Sequence, residues 1–386
     1  MIDVLKRLAE LDATNPNVVQ EEKKLNRVID SSKYGSRPPM EHQKVAIEKL
    51  LANDKFILAD DMGLGKTIQT LSFLQHLKEK KGKLLSMVVC PTTLLFNWQN
   101  ELEKFTPSLS FVIHHGGNRS KTQLLKNAPE VIITTYGTLR SDIKAFSEVQ
   151  FDYVILDESQ AIKNPSSKVT KAASLLKAEN RLCLSGTPLQ NNTFDIYAQM
   201  NFLNPGMLGT VEYFKHNFSM PIDKFDEQEQ KEHLRKFVFP FILRRTKEQV
   251  AKDLPEKQEM VLYCEMGDEQ RKIYDAYRND FRDKLLGMVE QKGLQKTQLS
   301  ILQGLMKLRQ ICDSPAILKE EAYPNESVKL SELTREIVEN ISNHKALVFS
   351  QFLGMLGLIK EELIRLKIDF EYFDGSSTIQ DRERAI

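Results

Sequence analysis

Lys66 and Thr67 follow Gly63 and Gly65 in the stretch Phe56-Ile-Leu-Ala-Asp-Asp-Met-Gly-Leu-Gly-Lys-Thr67. An ammonium and a hydroxyl directly after a glycine turn suit a phosphate chain. Glycines let backbone N–H groups close on phosphate, and a following helix adds partial positive charge at its N-terminus. Lys66 would reach the β- and γ-phosphates of a nucleotide, and the Thr67 hydroxyl would hold Mg²⁺. The general pattern G-x-x-x-x-G-K-[ST] asks for glycine at position 60, where this chain has Asp60. A Gly-Lys-Thr turn without a ligand is the plainer alternative, and the other polar clusters decide between the two.

Asp157 and Glu158 form the second cluster. An aspartate ending a buried strand, downstream of a phosphate loop, suits Mg²⁺ held through water. The adjacent glutamate suits polarising an attacking water. A solvated acidic pair is the alternative. Ser185, Gly186 and Thr187 end the next apolar run. Small hydroxyl residues there can bond a metal site and a neighbouring domain, although alone they read as a plain turn. Gln43 lies upstream of the glycines. Its amide carries both donor and acceptor and so suits an adenine edge, although an isolated glutamine is more often a surface residue.

These clusters need elements to hold them. Phe56–Ala59 reads as a buried strand, and Ile68, Leu71, Leu74 and Leu77 stripe a helix. Leu84–Cys90, Phe111–Ile113, Val131–Thr135, Tyr153–Leu156 and Arg181–Leu184 read as further strands. Between them, Leu94, Leu95, Trp98, Leu102 and Phe105 share one helical face, and Pro165–Lys177 forms another helix. Strands alternating with helices predict an α/β fold with a doubly wound parallel sheet. Ligands in such sheets sit at the carboxyl ends of the strands, where every cluster above lies.

Residues 1–34 read as an N-terminal helical extension and 35–205 as the first α/β lobe. From 206 to 325 long charged helices dominate, including Asp268–Gln291 and Gln298–Cys312, and read as insertions and connector rather than sheet. In the second of these helices Leu302, Leu305, Met306, Leu308 and Ile311 predict a packed face. A strand is also expected at Met260–Cys264. From 326 to 386 the α/β rhythm returns, with strands at Lys345–Phe349 and Phe370–Phe373 and a helix starting at Gln380, as an incomplete second lobe.

A chain of 386 residues has length for two or three domains. Its 54 basic and 53 acidic residues leave a net charge of +1, so any basic surface for nucleic acid is local. Four cysteines far apart, with no C-x-x-C pair, point to a reducing compartment and to neither zinc nor a disulfide framework. No apolar run approaches the ~18–20 residues of a membrane span, and the N-terminus is too charged for a signal peptide.

Six motifs in order resemble the Swi/Snf-type ATPases of helicase superfamily two. They are Asp60–Thr67, Asp157-Glu-Ser-Gln160, Leu184-Ser-Gly-Thr-Pro-Leu-Gln-Asn-Asn192, Phe241-Ile-Leu-Arg-Arg-Thr-Lys247, Leu308-Arg-Gln-Ile-Cys312 and Val348-Phe-Ser-Gln-Phe352. The resemblance covers about 35–386 and accounts for Asp60, since that family carries an acidic residue there. It implies two RecA-like lobes of the P-loop class that close on ATP and Mg²⁺ and move along double-stranded DNA. By motif, Gln43, Asp61, Met62, Gly63, Leu64, Gly65, Lys66, Thr67 and Ile68 bind nucleotide. Lys66, Asp157 and Glu158 are catalytic, and Thr67 and Asp157 serve the metal. Gln160, Ser185, Gly186 and Thr187 couple nucleotide to DNA.

DNA contacts are expected from Pro91, Thr92, Thr93, Asn97, Thr134, Thr135, Tyr136, Ser350 and Gln351. Hydroxyls and amides at strand ends suit phosphate without reading bases. For Trp98, core packing competes with DNA contact. For Arg244 and Arg245, bracing the lobes competes with a DNA role. The resemblance leans to a prokaryotic member, placed in the cytoplasm with the nucleoid, or in the nucleus if eukaryotic, with a DNA-bound protein or transcription complex as target and no membrane. The chain ends before the later motifs of the second lobe, so weak hydrolysis is expected of it. A strand-separating helicase and a nucleotide-gated DNA-binding module without turnover are the competing readings.

Overall fold

Short apolar runs rich in Val, Ile and Leu become strands because β-branched side chains pack well on a pleated surface. In the computed structural model these are β1 (Lys55–Leu58), β2 (Ser86–Cys90), β3 (Phe111–His114), β4 (Val131–Thr135), β5 (Gln150–Leu156) and β6 (Lys177–Leu184). The structure describes residues 38–117, 129–186, 193–253, 255, 257–292, 294–318, 323–341, 344–377 and 381. The expected N-terminal extension, Thr187 and most of the last helix lie outside them. By internal packing the chain divides into two units between residues 256 and 257.

In the first unit the strands form one parallel sheet in the order β3-β4-β2-β5-β6-β1-β7. The seventh strand, β7 (Ile242–Leu243), pairs Ile242 with Ile57 and Leu243 with Leu58. It falls in the stretch whose sequence reads as helical connector, and two residues are too short for any periodicity to reveal. Successive residues along the strands enter opposite cores. Met87, Val89 and Ile132 face one layer of helices, and Val88, Cys90 and Ile133 face the other. Near-continuous apolar strands are what a sheet covered on both faces requires.

Helices α1 (Glu41–Ala52), α2 (Lys66–Lys81) and α3 (Leu95–Phe105) cover one face. Helices α4 (Tyr136–Phe146), α5 (Lys168–Ser174) and α6 (Phe194–Leu203) cover the other. Their ends are written locally. Thr135 caps α4 by accepting from the Thr138 N–H, and Ser167 caps α5 by accepting from the Thr170 N–H. Gly82 ends α2 in the left-handed region, with its N–H on the Lys78 carbonyl, a favoured way to close a helix. Every strand runs the same way, so the segments after β1, β2, β4, β5, β6 and β7 all emerge at one edge.

In the second unit α7 (Asp268–Lys292) packs on α8 (Leu294–Asp313). Thr297, Gly304 and Ile311, seven residues apart, are buried. Of the expected packed face Ile311 is buried, whereas Leu302, Leu305 and Met306 are exposed, which corrects those three. Helix α8 packs on α7, on Pro315–Ile317 and on Val328–Glu336, and the stripe containing Gly304 is the one it buries. A small core follows around Leu330, Met355 and Ile359, between α9 (Val328–Glu336) and α10 (Leu353–Arg365). Met260–Cys264, Lys345–Phe349 and Phe370–Phe373 are expected strands that carry no strand assignment. Leu347 and Phe349 are 86 % and 87 % exposed, and a strand exists only through a ladder partner.

Candidate nucleotide-binding active site

The loop after β1 turns at Gly63 and Gly65, whose φ values are 87° and 83°. That left-handed region favours glycine. Space matters as well as φ, because a Cβ on Gly65 would lie 2.4 Å from Gln43 Nε2 and 2.8 Å from Ile68 Cγ2. Gln43 is 7 % exposed. Its Nε2 donates to the Leu64 carbonyl at 3.2 Å, and its Oε1 accepts from the Met40 N–H at 2.9 Å. The side chain read as an adenine contact therefore also props the loop from beneath. Lys66 opens α2, and its Nζ donates to the Asp60 carbonyl at 2.8 Å. Burial lowers its pKa, against the opposing pull of Glu158, Asp60 and Asp157. Thr67 follows, half-buried, and Met62 is 66 % exposed above Gly186.

Asp60 is fully buried and holds a bidentate ion pair with Arg245. Nε reaches Oδ1 at 3.1 Å and Nη2 reaches Oδ2 at 2.5 Å. Arg245 Nη1 also donates to the His42 carbonyl at 2.5 Å. The neighbouring Arg244 pairs with Asp61 at 2.5 Å and donates to the carbonyls of Ala59 and Gly186 at 2.5 and 2.8 Å. Strand β7 delivers both arginines, since the chain continues from Leu243 along the loop, with the Asp61 N–H on the Arg245 carbonyl at 3.0 Å. These contacts brace elements within the first unit. The arginines clasp the phosphate loop of their own unit. The signal was present in Asp60, because a carboxylate ending a buried strand needs a cation, and Arg-Arg after a short apolar run supplies it.

Asp157 ends β5, 6 % exposed. Its Oδ2 accepts from Trp98 Nε1 at 2.8 Å and its Oδ1 from the Glu158 N–H at 2.9 Å. Burial raises its pKa to about 6, although the Trp98 hydrogen bond opposes the rise. A carboxylate has about four acceptor sites. Two donors leave room for metal-bound water, so the residues fit a magnesium site. Glu158 has φ 49° and ψ 53°, a left-handed conformation in a residue other than glycine. Such strain costs on the order of 1–3 kcal/mol and clusters at working sites. Gln160 Nε2 donates to Glu158 Oε2 at 2.5 Å, and Ser185 Oγ donates to Gln160 Oε1 at 3.1 Å. Glu158, Gln160 and Ser185 are thus one hydrogen-bonded chain across the ends of β5 and β6.

The SNF2-related domain family matches residues 40–317. The chain belongs to that family. An uncharacterized ATP-dependent helicase of Mycoplasma genitalium is 34 % identical to this SNF2-related chain over all of it, and the chain spans 37 % of that relative. The TATA-binding protein-associated factor MOT1 of Saccharomyces cerevisiae is 31 % identical, over 86 % of this chain and 21 % of its own length. The Sulfolobus solfataricus SWI2/SNF2 ATPase core solved in complex with dsDNA has a TM-score of 0.57 and 34 % identity, covering 92 % of this chain and 76 % of that one. The α/β sheet and the recognised family stand, and ATP-dependent relatives are what this SNF2-related chain resembles. Among the described residues no helix is long and apolar enough to cross a membrane.

The residues expected on DNA divide by exposure. Thr92, Thr93 and Asn97 are exposed at the start of α3, with Pro91 partly so. Gln351 is exposed in the second unit, where its Oε1 accepts from Arg309, and Ser350 accepts from the Phe352 N–H. Thr134, Thr135 and Tyr136 are buried, with hydroxyls turned inward. Thr134 donates to the His114 carbonyl, Thr135 caps α4, and Tyr136 Oη donates to the Asp157 carbonyl at 2.7 Å. These three hydroxyls are spent inside the fold, which corrects the expectation that they meet phosphate. Trp98 is 0 % exposed and likewise faces the core and Asp157.

Proposed function

We propose that this chain carries the ATP site of an SNF2-type DNA-dependent ATPase that moves along double-stranded DNA without reading its sequence. The hydrogen-bonded chain from Glu158 through Gln160 to Ser185, beside the glycine loop, is the observation that carries the reading. In it, backbone N–H groups of Gly63, Gly65, Lys66 and Thr67 and the Lys66 ammonium take the phosphates of ATP. Lys66 is held at the loop by the Asp60 carbonyl and stays positioned as charge develops on the phosphates. Thr67 and Asp157 would hold Mg²⁺, which when bound withdraws charge from the phosphate oxygens. Glu158, with Gln160 on its Oε2, orients the attacking water. Ser185 passes a change at Glu158 to the segment after β6, which includes Gly186 and Thr187. Thr92, Thr93, Asn97, Ser350 and Gln351 bind the DNA backbone.

Steady-state ATP hydrolysis with and without duplex DNA, beside Lys66→Ala, tests this. Hydrolysis that rises with duplex and disappears in Lys66→Ala supports the reading, and hydrolysis indifferent to duplex overturns its DNA half. The helicase name of the Mycoplasma relative favours a second reading, strand separation. A displaced strand from a tailed duplex under ATP would establish it.

A further inference from the structure

Two helices each send one buried side chain to the same aspartate. From α3, Trp98 Nε1 donates to Asp157 Oδ2 at 2.8 Å. From the start of α4, Tyr136 Oη donates to the Asp157 carbonyl at 2.7 Å. Both donors are neutral and buried, and each commits its one side-chain N–H or O–H to Asp157. Trp98 directly follows Asn97, which is exposed on the outer side of α3. Leu95, Trp98 and Leu102 anchor the inner side at 1 %, 0 % and 1 % exposure. The helix is thus one rigid lever with a polar outer face and a metal carboxylate under its inner face.

We propose that Trp98 is a positioning residue through which contact of duplex DNA with the outer face of α3 adjusts the Asp157 carboxylate. The proposal rests on the reading of Asp157 as a metal-site residue and of Thr92, Thr93 and Asn97 as a DNA face. Hydrogen bonds weaken steeply as they lengthen or bend. A phosphate drawn to the helix start moves Trp98 with the helix, and so changes the hold on Oδ2. Outer partners of metal ligands matter to this degree in general, because losing one costs about 10–100-fold in metal affinity or activity. Tyr136 fixes the backbone of the same residue, so the side chain turns while the carbonyl stays.

The molecule supplies its own probe. Trp98 is the single tryptophan of the chain, so indole emission reports from the surroundings of this one side chain. The experiment follows emission of the full chain during titration with a short blunt duplex, with Mg²⁺ and a non-hydrolysable ATP analogue, and with both. Duplex binding is measured separately by anisotropy of a labelled strand. The expected result is an emission shift on adding duplex without nucleotide, and a different one with Mg²⁺ and analogue.

In Trp98→Phe, which keeps the ring and loses the N–H, half-saturation of labelled-nucleotide binding should need about tenfold more Mg²⁺. The rise of hydrolysis with duplex should shrink by a similar factor, while duplex affinity stays within about twofold of the parent. Duplex that binds the parent chain with no change in emission overturns the relay, even if Trp98→Phe fails to fold. Unchanged magnesium dependence in a folded Trp98→Phe overturns the positioning role. Absence of duplex binding to the parent chain defeats the functional reading on which the relay rests, and is distinguished by the anisotropy signal.

Discussion

Arg245→Ala tests the claim that the phosphate loop is held from a strand far away in sequence. The substitution leaves the Asp60 carboxylate at 0 % exposure, with Gln69 Nε2 at 3.4 Å as its other side-chain hydrogen-bond partner among the described residues. Removing one member of a buried ion pair typically costs about 3–5 kcal/mol. For a domain of this size each kcal/mol moves the midpoint by about 2–4 °C, so a fall of about 6–20 °C is expected. Calorimetry of the full chain, following the transition of the sheet-bearing unit, measures it. The closing arm is Asp60→Gly with Arg245→Met. The general loop pattern accepts glycine there, and removing both charges together should recover a coupling of about 2–3 kcal/mol relative to the summed single losses. A loss below about 1 kcal/mol in Arg245→Ala is the behaviour of an exposed pair and would refute the clasp.

Three further outcomes are expected. Glu158→Gln should keep nucleotide binding and lower hydrolysis by about 10²–10⁴, while Lys66→Ala loses nucleotide binding itself; equilibrium binding beside turnover separates them. Gly65→Ala should abolish nucleotide binding, because its Cβ meets Gln43 at 2.4 Å, whereas Gly63→Ala is milder, its Cβ meeting Lys247 Cε at 3.4 Å; equilibrium binding to a labelled nucleotide ranks the two. Gly304→Ala should destabilise the second unit by about 1–3 kcal/mol, because its Cβ falls within the Phe281 ring. Chemical denaturation checks this, and Phe281→Ala should relieve it.

Much of the site is legible in the sequence. Gly63, Gly65, Lys66, Asp157 and Ser185 can be placed at strand ends because apolar runs and glycines speak locally. Six of the seven strands are legible for the same reason. What escapes is long-range. Ile242–Leu243 is a strand only because β1 lies beside it. The hydroxyls of Thr134, Thr135 and Tyr136 look like surface donors until the third dimension turns them inward. Trp98 belongs to an apolar stripe that signals core, and nothing in a stripe says which carboxylate its N–H will meet. The exposed face of α8 is the converse case. Leu302 and Leu305 share a helical period with Ile311, yet of the three Ile311 alone is buried, in line with Thr297 and Gly304.

The clasp of Asp60 by Arg245 joins residues 185 positions apart. At a synthesis rate of about 5–20 residues per second, roughly 10–40 s separate the aspartate from its arginine on the ribosome. During that interval β1 has no β7 beside it, and a carboxylate destined for full burial has no cation. The clasp on the proposed ATP site is therefore a late product of translation, formed only after β7 has left the exit tunnel.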